Sequence, residues 1–127
     1  MNVETVDLSI LIVSWNTKGL LCDCLDSIYE YLGDTDIRFE TIVVDNASAD
    51  GTMEEVPSRY PQVTFIANQD NVGFARACNQ AAVASRGEYI LLFNSDARFV
   101  DGGFSEILSV IKDDESIGVI SGTMRTD

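Results

Sequence analysis

The sequence predicts an α/β protein with a doubly wound, mostly parallel sheet and helices on both faces, a Rossmann-like arrangement. Short continuous apolar runs rich in branched residues alternate along the chain with longer amphipathic segments. Such runs are typical of strands buried on both faces, and their alternation with helices implies crossover connections between parallel strands. With 127 residues, 46% of them hydrophobic, the chain is expected to form one domain, residues 1–127, with a substantial core.

Five apolar runs are predicted to be strands, and each is bounded by polar or glycine-containing segments. They are Leu8–Val13, Phe39–Val44, Val63–Ala67, Glu88–Phe93 and Ile117–Ile120. The intervening amphipathic segments are predicted to be helices because apolar residues recur every three or four positions. They are Lys18–Leu32, Thr52–Ser58, Gly73–Ser85 and a segment marked by Phe104, Ile107, Leu108 and Ile111. Gly87 is expected to cap the third helix at its C-terminus.

Charge and composition exclude several classes of function. A net charge of -13 argues against binding to nucleic acid or to an anionic membrane surface, because both need basic patches. Since the chain has no histidine, a metal site would use oxygen ligands, which favours Mg²⁺ or Mn²⁺. The three cysteines lack zinc-type spacing, no basic n-region opens the chain, and no apolar stretch is long enough to span a bilayer. We therefore expect a cytoplasmic protein without a transmembrane segment.

Two of the predicted strands deliver a carboxylate to their carboxyl ends. Asp45 follows the second strand directly, and Asp96 follows the fourth strand after Asn94 and Ser95. Ligands of doubly wound sheets bind beyond this edge, where Asp45 could accept hydrogen bonds from a base or ribose and Asp96 could hold a cation. The alternative for Asp96 is that it only caps the next helix or turn, where aspartate is common. For the segment after Asp45 the alternative is turn chemistry, with Asp50-Gly51 as a turn and Ser48 or Asp50 capping the short helix.

A polar loop leads into the third predicted helix and forms a candidate anion site. Residues 68–71 precede Gly73 at the helix start, and Arg76 lies within the first turn. Free backbone N–H groups, the helix dipole and a cation in one place suit a phosphate. The alternative for Arg76 is a solvated side chain on a helix face.

Four segments, in this order, resemble the nucleotide-sugar-binding half of inverting glycosyltransferases of family 2, which have the GT-A fold. The segments are SILIVSWN, IVVDNASADGT, NQDNVGFARACNQAA and GEYILLFNSDA. Each motif alone is weak, but the ordered set is specific and covers nearly the whole chain. The second and third segments look most like the rhamnosyltransferase-type branch, which often has NPD where most relatives have DxD.

The resemblance implies that the ligand is a nucleotide-diphosphate sugar, a UDP- or dTDP-sugar. Asp45 would contact the nucleotide base or ribose. Ser14 and Asn16, which follow the first strand, would line the nucleotide pocket.

The resemblance also assigns the diphosphate, sugar and metal contacts. Asn71, Gly73 and Arg76 would border the diphosphate or the sugar, and Asn94 would lie near the ribose or sugar. Asp96 would ligate Mg²⁺ or Mn²⁺. Since Asn94 replaces the first acid of DxD, metal affinity is expected to be low without the donor's phosphate oxygens.

The complete enzyme implied by the resemblance transfers the sugar, with inversion and metal assistance, to a hydroxyl of a saccharide or lipid-linked acceptor. Inversion needs a general base, which we expect beyond Asp127. Family members continue for at least as long again, so the chain is interpreted as a truncated donor-binding domain without the acceptor-binding half. It is expected to bind the donor and to be largely inactive. The full-length enzyme would be cytoplasmic or peripheral at the inner membrane face.

Two other functions fit parts of the sequence. A non-catalytic nucleotide-binding module would bind the same ligand without turnover. A response-regulator receiver domain fits the length, acidity and α/β alternation. However, receiver domains have paired acids after the first strand, where this chain has Ser14 to Asn16, and a lysine after the fifth strand, where it has Ser121 to Thr123.

Overall fold

The computed structural model describes residues 5–100 and 104–119, and it confirms the predicted fold class. Strands and helices alternate throughout this part of the chain. Their order is β1 (Val6–Ser14), α1 (Lys18–Leu32), β2 (Phe39–Asp45), α2 (Thr52–Arg59), β3 (Thr64–Ala67), α3 (Phe74–Ala84), β4 (Gly87–Leu92) and α4 (Phe104–Asp113). None of the helices in this part of the chain is both long enough and apolar enough to cross a membrane.

The four strands form one parallel sheet in the order β3-β2-β1-β4. The chain moves outward from β1 through β2 to β3 and then returns to the other side of β1 to form β4. The strand order therefore reverses between β1 and β4, and doubly wound folds bind ligands at such a switch point, beyond the carboxyl ends of the strands.

Helices cover both faces of the sheet, and two apolar clusters result. On one face, α1 and α2 bury a stripe that includes Leu21, Leu25 and Val56 against β1 and β2, and Phe104 of α4 packs against the same cluster. On the opposite face, α3 places Ala77 and Ala81 on β1 and β2. Small residues on α3 let this helix approach the sheet closely, which explains the alanine-rich composition of its sequence.

The structure corrects two details of the sequence prediction near β4. This strand is not buried on both faces, because α3 lies over β1 and β2, and Ile90 and Leu92 are therefore exposed. Gly87 does not cap α3, whose C-cap is Ser85; it begins β4 instead. A Cβ at Gly87 would lie 2.5 Å from the backbone nitrogen of Ser9, so close approach to β1 requires glycine there.

The fifth predicted strand, Ile117–Ile120, is wrong for residues 117–119. These residues are not in a strand, since none of the sheet's strands pairs with them, and Val119 is 89% exposed. Ile120 lies outside the described residues.

A half-buried acid ties the amino ends of β1, β2 and β4 together. The Glu40 carboxylate accepts hydrogen bonds from Ser9 Oγ at 2.6 Å, from the Arg86 backbone N–H at 2.6 Å and from Arg86 Nε at 3.2 Å. Ser9 Oγ in turn accepts from the Gly87 backbone N–H. Burial opposes ionisation of Glu40, but the Ser9 and Arg86 hydrogen bonds outweigh it and lower its pKa. Ionised Glu40 therefore helps to set where β4 begins beside β1.

Glu40→Gln is expected to destabilise the fold by about 1–2 kcal/mol at pH 7, because an amide cannot replace the charge-assisted bonds. The folded pKa of Glu40 lies below its unfolded value of about 4.3, so its contribution is present above that pH and is lost as the pH falls through the folded pKa. Urea unfolding at pH 7 and at pH 3 measures the difference.

The exposed Glu88 on β4 provides the matched control, since Glu88→Gln is expected to leave the unfolding midpoint unchanged at both pH values. A Glu40→Gln penalty that is as large in acid as at neutral pH would contradict the role assigned to the ionised carboxylate.

Candidate functional site

Polar loops from every strand meet at the carboxyl edge of the sheet. Ser14 at the end of β1 lies opposite Asp45 at the end of β2, and Asp45 lies opposite Ala67 at the end of β3. Leu92, at the end of β4, lies opposite Leu11. Since neighbouring strands are about 4.8 Å apart, β2 and β4 flank β1 at a separation of about 10 Å. The loops that carry the predicted site residues are therefore side by side.

Asp45 is completely buried, and both of its carboxylate oxygens bind Ser48. Asp45 Oδ1 accepts from Ser48 Oγ at 2.6 Å, and Oδ2 accepts from the Ser48 backbone N–H at 2.8 Å. Ser48 Oγ also accepts from the backbone N–H of Asn16 at 2.8 Å. Asp45 thus shapes the loop after β2.

Asn16 links the loop after β1 to the loop after β2. Its side-chain Oδ1 accepts from the backbone N–H of Ala49 at 2.8 Å. Asn16 and Ala47 both have positive φ angles, 52° and 66°. The left-handed conformation is unfavourable for alanine, so the hydrogen bonds that flank it must hold this loop in place.

Asp50 fixes the starts of two helices at this edge. Its Oδ2 accepts from the Lys18 backbone N–H at the start of α1, and its Oδ1 accepts from the backbone N–H and hydroxyl of Thr52 at the start of α2. The Thr52 hydroxyl is the main cause of the lowered pKa of Asp50, which keeps this acid ionised as a helix cap. The capping interpretation of Asp50 fits this geometry.

A chain of side-chain amides holds the loop before α3. Asn46 is buried; its Nδ2 donates to the carbonyl of Gly73 at 3.2 Å, and its Oδ1 accepts from Asn68 Nδ2 at 3.1 Å. Asn68 and Gln80 exchange two amide hydrogen bonds of 2.8 and 2.9 Å. The end of β2 therefore sets the position of the α3 N-terminus.

The predicted anion-binding residues lie exposed at that N-terminus. Gly73 has φ 89° at the N-cap, and its backbone N–H donates to Asn71 Oδ1 at 2.9 Å. Asn71, Gly73 and Arg76 are all exposed, and no acidic partner of Arg76 is found among the described residues. The arrangement can bind an anion through a guanidinium and the free N–H groups of the first helical turn.

The segment after β4 presents Asn94 and Asp96 to solvent on the same edge. The carbonyl of Asn94 accepts from the Ala97 backbone N–H at 3.0 Å, which closes a turn around Ser95 and Asp96. The structure therefore brings Asp96 to the edge that carries Ser14 and Asp45, but Asp96 is exposed whereas Asp45 is buried.

Protein atoms alone form only part of a metal site. Within residues 5–100 and 104–119, no three cysteine, aspartate or glutamate side chains gather as metal ligands. The Asp96 carboxylate and the Asn94 amide oxygen are the oxygen donors that Mg²⁺ and Mn²⁺ prefer. This donor set fits a cation that takes its remaining ligands from a bound diphosphate.

Several residues that shape this edge were missed by the sequence analysis. Ser48 had a usable signal, because a hydroxyl three residues after Asp45 is typical of an Asx or capping turn. Asn46, Asn68 and Gln80 had none, since their contacts join segments that are 12 or more residues apart.

The parallel sheet with helices on both faces defines a doubly wound α/β domain, and comparison with known proteins gives its family. Residues 9–127 match the family model described as glycosyl transferase family 2, so the chain belongs to that family. An uncharacterized glycosyltransferase of Haemophilus influenzae is 32% identical over 113 residues, which make up 89% of this chain and 37% of that protein. Because the chain belongs to this family, the interpretation as a response-regulator receiver domain is excluded.

Solved structures identify the fold as GT-A. One is the mannosyltransferase PcManGT of Pyrobaculum calidifontis, solved in complex with GDP-Man and Mn²⁺. It is 26% identical to this chain with a TM-score of 0.80, and the match covers 96% of this chain and 36% of PcManGT. S. aureus TarS 1-349 in complex with UDP has the same fold, with a TM-score of 0.74 at 21% identity, and covers 85% of this chain and 32% of that one. The chain thus spans about a third of the length of these proteins.

Asn46→Ala is expected to destabilise the protein by about 1–3 kcal/mol, because it removes the three hydrogen bonds that this buried side chain makes with Asn68, Val72 and Gly73. It should also accelerate hydrogen exchange of the Val72 and Gly73 amides, since Asn46 accepts from the Val72 N–H and binds the Gly73 carbonyl. Urea unfolding and exchange mass spectrometry measure the two effects.

Gln69 is exposed in the same loop, so Gln69→Ala is the control and should change neither quantity. Unchanged exchange at residues 72–73 in Asn46→Ala would show that the amide chain does not hold the α3 N-terminus.

Proposed function

We propose that this domain binds a nucleotide-diphosphate sugar, such as a UDP- or dTDP-sugar, at the carboxyl edge between β1 and β4. The proposal rests mainly on one observation: at this edge the loop after β1 contacts both the loop after β2 and the segment Asn94–Asp96, and the end of β2 contacts the α3 N-terminus. Two further findings support it: membership of the family, and the likeness to PcManGT, which was solved in complex with GDP-Man and Mn²⁺.

In this proposal the nucleoside lies over the interlocked loops after β1 and β2. Asn16 lines the pocket wall with the fully buried Ser14 behind it, and Asp45 forms the floor beneath Ser48. Asp45 has no solvent-exposed surface, so its direct contact with a base or ribose requires Ser48 to move away when the nucleotide binds. Each carboxylate oxygen can accept a second hydrogen bond once it is uncovered.

The diphosphate lies toward the α3 N-terminus. Arg76 supplies a charge there, and Asn71 and Gly73 bring side-chain and backbone dipoles to the same place. A protein with net charge -13 repels a diphosphate at long range, so this local cation and the helix N-terminus must offset that repulsion.

Asp96, with Asn94 beside it, would hold Mg²⁺ or Mn²⁺. The cation, when bound, neutralises charge on the diphosphate that leaves during sugar transfer. Asp96 contributes one negative charge and Asn94 contributes a neutral amide toward the sugar or ribose. The neutral amide limits the charge that the protein offers, so donor phosphates complete the site and metal and nucleotide bind together.

The whole protein would transfer the sugar, with inversion, to a saccharide or lipid-linked acceptor, as in a rhamnosyltransferase-like branch of the family. In this scheme residues 1–127 are the donor-binding domain, and the general base and acceptor pocket lie in sequence beyond Asp127. The enzyme would work in the cytoplasm or at the inner face of the membrane. A non-catalytic nucleotide-binding module shares the donor site and differs by the absence of turnover.

Asp96→Asn is expected to abolish the Mn²⁺-dependent part of UDP affinity while leaving the metal-free part intact. The loss should be at least about tenfold in Kd, or about 1.4 kcal/mol. Titration calorimetry with UDP, dTDP and GDP, with and without Mn²⁺, measures both parts.

Asp34 is an exposed acid at the opposite end of α1, so Asp34→Asn is the matched control for net charge. No heat of binding by the unchanged protein with any of the three nucleotides, or equal losses in the two variants, would refute the proposed site.

Arg76→Ala is expected to weaken UDP binding by a factor of about 3 to 10 and to leave uridine binding unchanged, because only the diphosphate meets the guanidinium. The loss should shrink as salt rises, since the group is exposed. Competition titrations at two ionic strengths provide the measurement.

The comparison variant is Arg38→Ala, which removes an exposed cation immediately before β2, at the other edge of the sheet. If Arg76→Ala and Arg38→Ala lower UDP affinity alike, the effect is one of net charge and the assignment of Arg76 fails.

A further inference from the structure

We propose that Thr17 is a positioning residue that tethers the Asn94–Asp96 segment to the start of α1, a role that rests on the donor site proposed above. The Thr17 hydroxyl donates to Ser95 Oγ at 3.2 Å, across 78 positions of sequence. Ser14 Oγ lies 3.4 Å from the same Thr17 oxygen. A line of three hydroxyls therefore joins the loop after β1 to the residue that precedes Asp96.

At the start of α1, Thr17 does not form the side-chain cap that is usual for a threonine in this position. Thr17 is the N-cap of α1, where a threonine side chain normally accepts from a backbone N–H in the first turn. Here Thr17 makes no side-chain cap, and Asp50 instead accepts from the Lys18 backbone N–H at 2.9 Å. The Thr17 hydroxyl accepts from no backbone N–H of the first turn and donates to Ser95.

A second hydrogen bond also links the Asn94–Asp96 segment to α1. The Cys24 thiol is fully buried in α1 and donates to the Asn94 carbonyl at 3.7 Å, the carbonyl that also accepts from Ala97. The turn that carries Asp96 thus rests on α1 at two points.

The tether should affect the metal-dependent and the metal-free parts of nucleotide affinity differently. Ser14 lies opposite Asp45 on the neighbouring strand, so the hydroxyl line runs from the nucleotide side of the crevice to the metal side. Loss of the Thr17 hydroxyl should let the Asn94–Asp96 turn move without disturbing the loop that Asp45, Ser48 and Asn16 hold together. The metal-dependent part of nucleotide affinity should fall, and the metal-free part should not.

The test compares Thr17→Val, which removes the hydroxyl at nearly constant shape, with Thr17→Ser, which retains it. In the ligand-free protein, hydrogen exchange at the Ala97 amide is expected to accelerate by a factor of about 3 to 10 in Thr17→Val, the value of one net hydrogen bond. Thr17→Ser should restore the exchange rate. The equilibrium constant of unfolding, measured in urea, should change by no more than the same factor in Thr17→Val, because Asp50 still accepts from the Lys18 N–H.

Calorimetry with UDP provides the second measurement. Thr17→Val is expected to weaken the Mn²⁺-dependent affinity by the same factor of about 3 to 10 and to leave the metal-free affinity unchanged. Thr64→Val, on the exposed edge strand β3, is the matched control and should alter neither affinity nor exchange at Ala97.

Two results would overturn the tether. One is an unchanged Ala97 exchange rate in Thr17→Val, and the other is an equal loss of metal-free and metal-dependent affinity. If the unchanged protein binds no nucleotide, the proposed donor site fails, and the exchange measurement still decides whether Thr17 holds the turn.

Discussion

Parallel pairing of β1 with β2 on one side and β4 on the other is the constraint on which the site depends. It brings three carboxyl ends to one edge and reverses the strand order between β1 and β4. Both amino and carboxyl ends are secured: Glu40 ties β2 to β1 and β4 at one end, and the polar loops interlock at the other. A shift of β4 along β1 would carry Asp96 away from the loops that it must face.

The polar residues at the carboxyl edge divide into two groups with different tasks. Asp45, Asn46 and Asp50 are bound by their own loops, so the edge is built before any ligand arrives. Arg76 and Asp96 remain exposed and available to a ligand. Donor binding as proposed would keep the contacts of Asn46 and Asp50, whereas Asp45 would first have to lose its contacts with Ser48. Arg76 is the cation that the proposal assigns to the diphosphate in a chain of net charge -13.

Much of the fold and part of the site could be predicted from the sequence, and the reasons differ by residue. Buried parallel strands leave a strong apolar signal, so β1 and β2 were found with nearly correct bounds. The fifth strand was wrong for residues 117–119 because an apolar run shows propensity and not a pairing partner. The placement of Asp96 at the carboxyl edge could be predicted from its position after β4, but the burial of Asp45 beneath Ser48 and the Thr17–Ser95 contact depend on loops that meet only in the folded chain.

The central claim is that one crevice receives both the nucleotide and the cation, and paramagnetic broadening of backbone amide NMR signals tests it most directly. Mn²⁺ added to the protein with UDP should broaden the amides of residues 94–97 first and those of residues 14–16 and 73–76 next. Without UDP the broadening should be much weaker, because the diphosphate completes the ligand set. Broadening confined to the acidic segment Asp113–Glu115, or independent of UDP, would contradict the account.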